Sequence, residues 1–531
     1  MKKIRSGYFV NLVVPSLVFG IVTGVFTSLI ILLYKVCAKN IIALSEAGYS
    51  FLRGHLCFLP VVFVLLFGVS LLLVLAYKKI PNIKGGGIPT SIGILRGLIK
   101  FKWLATLIGT FLASLLTFLI GVPLGNEGPS VQMGTSVGRG SVAPISKKHR
   151  AWCGYTMTGG ACAGFSVATG APVSGILFSL EEAHQRISPT IFIVSATAVS
   201  SSYITTRIMS YFFGIETRLF PSLQIVALPA SEAWLPMVIG ILFGLFSVLF
   251  LKFYNVVAKL VSDKLKKIPH VFKVFSVFVL TIVAGIMSFS FISTGHDLIL
   301  DIMDIKLAVY MLIIILVVRS VLTVFANTCS ITGGIFLPIM AIGAVFAALI
   351  GRGAIAIGVR EEYYSLILVL GISACIAGMM KMPLTAIVFS VEALSCYENI
   401  VYVVIAVVVT FIITEVFGVS SITDSVLEHR ISTHNKKERL IVIDTFVTVK
   451  EGSFAVGKQI RDILWPPNLF VLSIKQRAEQ RAEVDEHGEK ELRAGDILHV
   501  RYSTYDEETT KEELTSIIGE QDYAESEDKV I

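Results

Sequence analysis

The chain has 531 residues, 54% of them apolar and only 16% charged, where a soluble protein carries about 25% charged residues. So much apolar surface cannot be hidden in water-soluble cores, which excludes a secreted disulfide scaffold, a nucleic-acid binder and most soluble enzymes; the helix-length apolar runs also exclude an outer-membrane barrel, whose strands alternate over about 10 residues. The net charge of +7 is uneven: 428–531 holds 15 basic and 22 acidic residues, or −7, which leaves +14 for 1–427.

The N-terminus opens with Lys2, Lys3 and Arg5, then an apolar run to about Tyr34. That run is too long for a signal peptide and lacks a small-residue cleavage site, so it reads as a first membrane helix with a cytoplasmic start. Apolar runs follow at roughly 57–77, 104–123, 161–180, 190–213, 234–260, 271–293, 306–326, 335–358, 364–395 and 398–418. The basic residues between them, such as Lys78, Lys79 and Lys84, the Lys147, Lys148 and Arg150 cluster, and Lys264, Lys266 and Lys267, follow the positive-inside pattern. All seven cysteines (37, 57, 153, 162, 329, 375 and 396) fall in this apolar part without metal-ligand spacing and read as small buried hydrophobes. Gly and Pro interrupt many runs, at 85–89, 121–129, 159–175, 333–338 and 378–383. Broken helices at membrane depth are tolerated where the freed backbone is buried or lines a cavity, and in transporters they mark the binding site.

The chain also repeats itself. ACAGFSVATGAPVSGILFSLEEA (161–183) resembles ACIAGMMKMPLTAIVFSVEAL (374–394): Pro172 matches Pro383 and Glu181 matches Glu392, offset by 211. Upstream, Pro129 and Gly134 match Pro338 and Gly343, offset by 209. Two matches in one order predict two halves, about 1–215 and 216–427, and internal symmetry with broken helices points to a secondary transporter or channel.

After Leu427 the composition changes. A charged linker (428–438) precedes expected strands at 440–449, 468–475 and 496–502, an expected short helix at 453–464 and a final helix at 509–519, before an acidic tail at 520–531. The segment 439–519 therefore reads as a small cytoplasmic α+β domain.

The chemistry lies in Gly-rich junctions that open helices: GGGIP (85–89), GNEGP (125–129) and GGIFLP (333–338), with the carboxylate pair Glu181 and Glu182. A helix start presents unpaired N–H groups and the positive end of the dipole. Pro just inside it costs nothing, and Gly before it lets the backbone approach an ion. Three such ends would hold an anion without a full positive charge, so that it could also leave. Gly and Pro at these junctions equally permit tight helix packing with no ion. No Walker loop, zincin motif, metal-ligand cluster or nucleophile triad is present, so the reading is not that of an enzyme, and no cofactor or metal is expected.

GGGIP, GNEGPSVQ, APVSGILFSLEEA and GGIFLP, spaced over 1–427, resemble the CLC family of chloride channels and proton-coupled chloride exchangers. The resemblance implies an all-α membrane domain of two inverted-topology repeats with about 18 helices, several not spanning. It also implies a homodimer with one pore per subunit in the inner (plasma) membrane, both termini cytoplasmic. By position, Glu127 matches the gating glutamate and Glu182 the internal proton-transfer glutamate; Glu181, aligned with Glu392, is assigned a structural role. The implied anion-binding set is Gly86, Gly87, Ile88, Gly125, Asn126, Gly128, the amides of Ile335 and Phe336, and Thr423.

Two departures bear on the inner gate. The family usually has Ser where Gly86 stands and Tyr where SSITDSVL places Thr423. Both normally offer hydroxyls to the central anion, so their loss implies weaker anion binding and loose coupling of anion to proton. Asn126 resembles the fluoride-exporting branch. Chloride/proton antiport is the leading reading; a passive chloride channel and a fluoride/proton exporter remain open, nitrate is a lesser option, and a ligand sensor without significant transport is the rival of another class. The tail resembles the C-terminal subdomain of regulator-of-potassium-conductance proteins (TrkA C-terminal type), some of which bind cyclic di-AMP between subunits. Trp465, Phe470, Lys475, Arg477 and His499 supply the side-chain types for purine and phosphate contacts.

Overall fold

In the computed structural model, the described residues are 13–142, 151–185, 188–221, 225–304, 307–434, 441–466, 468–476, 488–504, 507–521 and 529–530. Helices dominate up to residue 434, because in a bilayer only the helix satisfies every backbone group within one segment. The first half contains α1 (Val14–Gly54), α2 (Leu59–Lys79), α3 (Gly87–Leu95), α4 (Trp103–Ile120), α5 (Glu127–Val142), α6 (Cys153–Thr169), α7 (Pro172–Phe178) and α8 (Pro189–Phe213). The second contains α9 (Trp234–Asp263), α10 (His270–Met287), α11 (His296–Asp304), α12 (Val309–Thr328), α13 (Phe336–Ala356), α14 (Tyr364–Cys375), α15 (Pro383–Glu392), α16 (Ile400–Val416) and α17 (Ile422–His434). Among the described residues nine helices are long and apolar enough to cross a membrane. The first expected span, ending near Tyr34, continues to Gly54 and makes α1 a 41-residue helix.

Two expected runs are broken where Gly and Pro stand. After α6, Gly170 adopts a left-handed conformation and Pro172 starts α7, which passes into a π-turn over Ser179–Ala183. In the second half α14 passes into a π-turn at Ile376–Met380, Lys381 turns left-handed and Pro383 starts α15. These paired breaks face each other. The Glu392 carboxylate, at the end of α15, accepts hydrogen bonds from the N–H groups of Val173 and Ser174 and from the Ser174 hydroxyl, each 2.8 Å, at the start of α7. The Glu181 carboxylate accepts from Leu384 N–H, Thr385 N–H and the Thr385 hydroxyl, at 2.7–2.8 Å, at the start of α15. Each helix therefore caps the start of its repeat counterpart with a full negative charge, where the dipole favours one.

The C-terminal domain is a four-stranded antiparallel sheet of order β2-β3-β1-β4, with β1 Ile441–Thr448, β2 Leu469–Lys475, β3 Ile497–Thr504 and β4 Lys529–Val530. Alternation puts Ile443, Val447, Leu498, Val500 and Tyr502 on the buried face, with Leu514 and Ile518 of α18 (Glu507–Ile518) in the same core. The three expected strands and the last helix form within a few residues of their expected bounds. The helix expected at 453–464 does not: only a 3₁₀ turn at Ile460–Asp462 appears. The physical reason is competition for the backbone. Gly457 N–H donates to Leu492 O, Leu492 N–H to Lys458 O, and Gln459 bridges Glu491, so this segment pairs with 488–492 instead of coiling on itself.

This domain docks on the start of α6. The Tyr155 hydroxyl donates to Asp462 O and accepts from Leu464 N–H, both at 2.9 Å. Phe454 packs edge-on to Trp152 with ring centres 5.3 Å apart.

Candidate functional site

Three helix starts meet in the middle of the membrane part: α3, α5 and α13. Gly125 and Gly334, repeat counterparts 209 residues apart, exchange both backbone hydrogen bonds at 2.7 Å. Gly85 N–H donates to Ser330 O at 2.9 Å and Gly333 N–H to Gly85 O at 3.4 Å, which adds the α3 loop to the junction. Side chains could not fit here. A Cβ on Gly87 would overlap the Gly128 carbonyl, and one on Gly128 would lie 2.7 Å from Gly334 Cα. Glycine at 87 and 128 is what lets three backbones converge.

Glu127 is the first residue of α5 and has no solvent exposure. Neither carboxylate oxygen makes a hydrogen bond among the described residues. The carboxylate faces its own amide and that of Leu337 in the first turn of α13, and Lys35 and His296 are the charged side chains acting on it. It occupies the junction of two positive helix ends, the position an anion would take. Ile335 and Phe336, which open α13, are also buried, and Phe336 packs edge-on against Phe165 and Phe389. Asn126 is half-buried, and its carbonyl accepts from the Ser130 hydroxyl at 2.8 Å. Ile88 is buried in the first turn of α3.

Glu182 sits in the π-turn after α7 and is 5% exposed. Arg96, just past α3, donates to Glu182 O at 2.9 Å and Ala183 O at 3.0 Å, satisfying carbonyls at the end of the turn. Thr423 lies in the first turn of α17, buried, with its hydroxyl facing the Glu182 carboxyl. Asp424, behind it, accepts from the Ser421 hydroxyl at 2.8 Å and donates its N–H back to it. Thr423 thus stands beside the internal carboxylate. A Cβ on Gly86 would lie 3.6 Å from Asn327 Nδ2 and 3.7 Å from the Gly333 carbonyl oxygen.

The sequence reading missed Asn327, Arg430 of α17 and the fully buried Arg319 of α12. Arg319 donates to the carbonyls of Ser290, Ile292 and Ser293 at 2.8–3.1 Å and ties down the segment before α11. A charge inside an apolar run and an amide at its end are signals the sequence carries, since such groups are costly in a membrane.

The described tail residues stand in two places, Trp465 against the core and Phe470, Lys475 and His499 on the strands β2 and β3. Trp465 packs against the core and donates to Ile460 O at 2.9 Å. Phe470 and Lys475 are exposed on β2, and His499 stacks on Phe446 (4.5 Å) while bonding Asp444. Arg477 lies outside the described residues. Partial burial raises the Asp444 carboxyl, but hydrogen bonds from Arg501 and His499 outweigh this and hold it below its ordinary range. Lys458 is 6% exposed, and burial pushes its ammonium down to about 7. Among the described residues no group of three or more His, Cys, Asp or Glu is placed to hold a metal.

The sequence profile of the family described as "Voltage gated chloride channel" matches residues 68–415. The curated protein "H(+)/Cl(-) exchange transporter ClcA" of Klebsiella pneumoniae is 26% identical over 366 residues, covering 67% of this chain and 76% of that protein. The protein of the same description from Salmonella arizonae is 26% identical over 400 residues, with 74% and 82% coverage. Among solved structures, a slow cyanobacterial Cl−/H+ antiporter matches with a TM-score of 0.71 at 23% identity, over 79% of this chain and 99% of its own. A CLC-type fluoride/proton antiporter matches with 0.61 at 18% identity, over 76% and 96%. The two structures share the fold.

Proposed function

The chain belongs to the voltage-gated chloride channel family, and we propose that it is a membrane anion transporter that exchanges chloride for protons through Glu127 and Glu182. The observation that carries this reading is the Glu127 carboxylate, buried and without a hydrogen-bond partner where the starts of α5 and α13 meet. Ionised, it takes the anion's place between two helix dipoles; protonated, it loses that attraction and leaves the place to chloride. Exchange follows because the carboxylate and the anion compete for one position. Glu182 supplies the proton from the tail side, with Thr423 next to it and Arg96 holding its turn. The relatives described as H(+)/Cl(-) exchange transporters support chloride as the anion.

A passive chloride channel is the second reading, favoured by Gly86, which offers no side chain to close the inner mouth. Asn126 and the likeness to a fluoride/proton antiporter favour fluoride as the alternative anion. The wider reading has two repeat halves (1–215 and 216–427), a homodimer in the inner membrane with cytoplasmic termini, and a TrkA-C-like domain (439–519) that regulates transport, with cyclic di-AMP as the candidate effector. Reconstitution in liposomes with a chloride gradient tests the central claim. Uphill proton movement driven by chloride, abolished in Glu127→Gln and Glu182→Gln, is expected. Chloride flux without linked protons makes the chain a channel, and fluoride flux without chloride makes it a fluoride exporter.

A further inference from the structure

Of the charged side chains that act on Glu127, His296 has the ordinary titration nearest neutral pH. It opens α11, and two contacts fix its backbone beside the helix starts that enclose Glu127. A Cβ on Gly295 would lie 2.6 Å from the Cβ of Ala341, one turn past Leu337 on α13. Ser293 N–H donates to Gly121 O at 2.7 Å, tying the same segment to the loop that leads into α5. The connection between the two halves holds the ring from the other side. Nε2 lies 2.6 Å from Leu219 O, and the ring stacks on Phe220 with centres 5.5 Å apart and planes 6° apart. This connection follows α8, whose 25 residues rise about 37 Å from a start just after the Glu182 turn. The imidazole therefore stands on the face opposite Glu182 and the tail.

The partners of the ring decide its charge. A carbonyl oxygen only accepts, so Nε2 carries a proton toward Leu219 O. Nδ1 lies 3.0 Å from a carboxylate oxygen of Asp297, which also only accepts when ionised. The imidazolium alone satisfies both contacts. Burial disfavours that charge, but the bonds to Asp297 and to Leu219 O outweigh it and hold the imidazole above its ordinary range. The other charges nearby pull in both directions. Asp297 lines a cavity with Glu46 and Asp301, and Glu216 also feels the imidazolium while pairing with Lys39 at 3.0 Å. Lys35, which donates to Thr217 O at 3.4 Å, opposes the imidazolium. Arg319 comes against Gly295 but is engaged with the carbonyls of Ser290, Ile292 and Ser293.

We propose that His296 is a titratable positioning residue for proton exchange: as an imidazolium on the face opposite the tail it favours the ionised form of Glu127, and on losing its proton it gives up that hold. The inference rests on the reading of Glu127 as the carboxylate that competes with the anion. The sign follows from Coulomb attraction, since a nearby cation stabilises a carboxylate and makes it harder to protonate. Protonation of His296 thus opposes protonation of Glu127. The two titrations are coupled, and the pH profile of transport belongs to the pair.

The test is chloride flux from liposomes of the full chain, at equal pH on both sides, from about pH 5 to about pH 9. His296→Gln keeps a donor for Leu219 O and removes the charge. His296→Arg and His296→Lys keep a cation at every pH in that range. The Gln variant is expected to move the midpoint of the flux profile upward by roughly 0.5 to 1 pH unit, while either cation leaves it at or below the wild-type midpoint. A merely structural histidine would lower the flux in all three variants without separating their midpoints. Equal midpoints in the Gln variant and in a cationic variant overturn the proposal and leave the reading of Glu127 intact. Adding His296→Gln to Glu127→Gln should change nothing further in the profile, because the effect passes through Glu127. A Glu127→Gln protein that keeps the wild-type pH profile overturns the reading of Glu127, and the proposal with it.

Discussion

On the proposed reading the two adjacent glutamates after α7 have separate duties, and their different contacts offer a way to separate them. The Glu181 carboxylate caps α15 through two N–H groups and a hydroxyl, while Glu182 faces Thr423 with no helix to cap. Glu181→Gln keeps the shape but removes the charge and turns one acceptor oxygen into an NH₂ aimed at N–H donors. An N-cap is worth about 1 kcal/mol, and a negative charge at a partly buried helix start adds up to about 1–2. The sum of about 2 kcal/mol is roughly a 30-fold change in an unfolding equilibrium. Glu392→Gln breaks the same set of bonds at α7, at the same distances, and should cost the same. Apparent melting temperature by size-exclusion after heating, and chloride-driven proton movement in liposomes, read the two properties independently. Glu181→Gln and Glu392→Gln should both lower the melting temperature by similar amounts and keep coupled transport in the folded fraction. Glu182→Gln should keep the melting temperature and lose proton movement. A Glu181→Gln protein with wild-type stability and no proton coupling would refute this division of labour, as would a harmless Glu392→Gln.

Gly87→Ala should prevent the three helix starts from meeting, because its Cβ overlaps the Gly128 carbonyl; the expected result is little or no monodisperse protein, whereas Gly48→Ala, with nothing within 4 Å, should purify normally. Lys458 titrates near 7 when folded against an ordinary value of 10.5, so the unfolded state binds the extra proton between these values and stability of the tail rises with pH across that window. Lys458→Met should raise tail stability at pH 7 and flatten this rise, measured by hydrogen exchange of β1–β3 amides in the full chain at pH 7 and pH 9; an unchanged pH dependence would show that Lys458 is not its source.

The candidate positions were legible in unequal measure. GGGIP, GNEGP and GGIFLP each announce a helix start, because a Gly before a Pro-containing first turn is a local backbone instruction. The pairing of Pro172 with Pro383 and of Glu181 with Glu392 was legible as a repeat, and the reciprocal caps are its three-dimensional form. The helix expected at 453–464 failed because its amides bond to 488–492, a segment about thirty residues away whose demand is invisible to local propensity. Among the tail residues chosen by side-chain type, Trp465 turns toward the core and Phe470 to the outer face, a division set by strand alternation and packing.

By itself the sequence determined the membrane setting, the three glycine junctions and the presence of carboxylates beside them and within apolar runs, since hydropathy, chain-reversing backbone and a charge in an apolar run are all local properties. Only the tertiary structure decided which groups meet. It set Thr423 beside Glu182, turned the Asn327 amide toward Gly86 across some 240 residues of chain, and brought Arg430 to the start of α3. The physical reason is that a side chain's partners are settled by helix packing. At this junction, packing is governed by what glycine leaves empty.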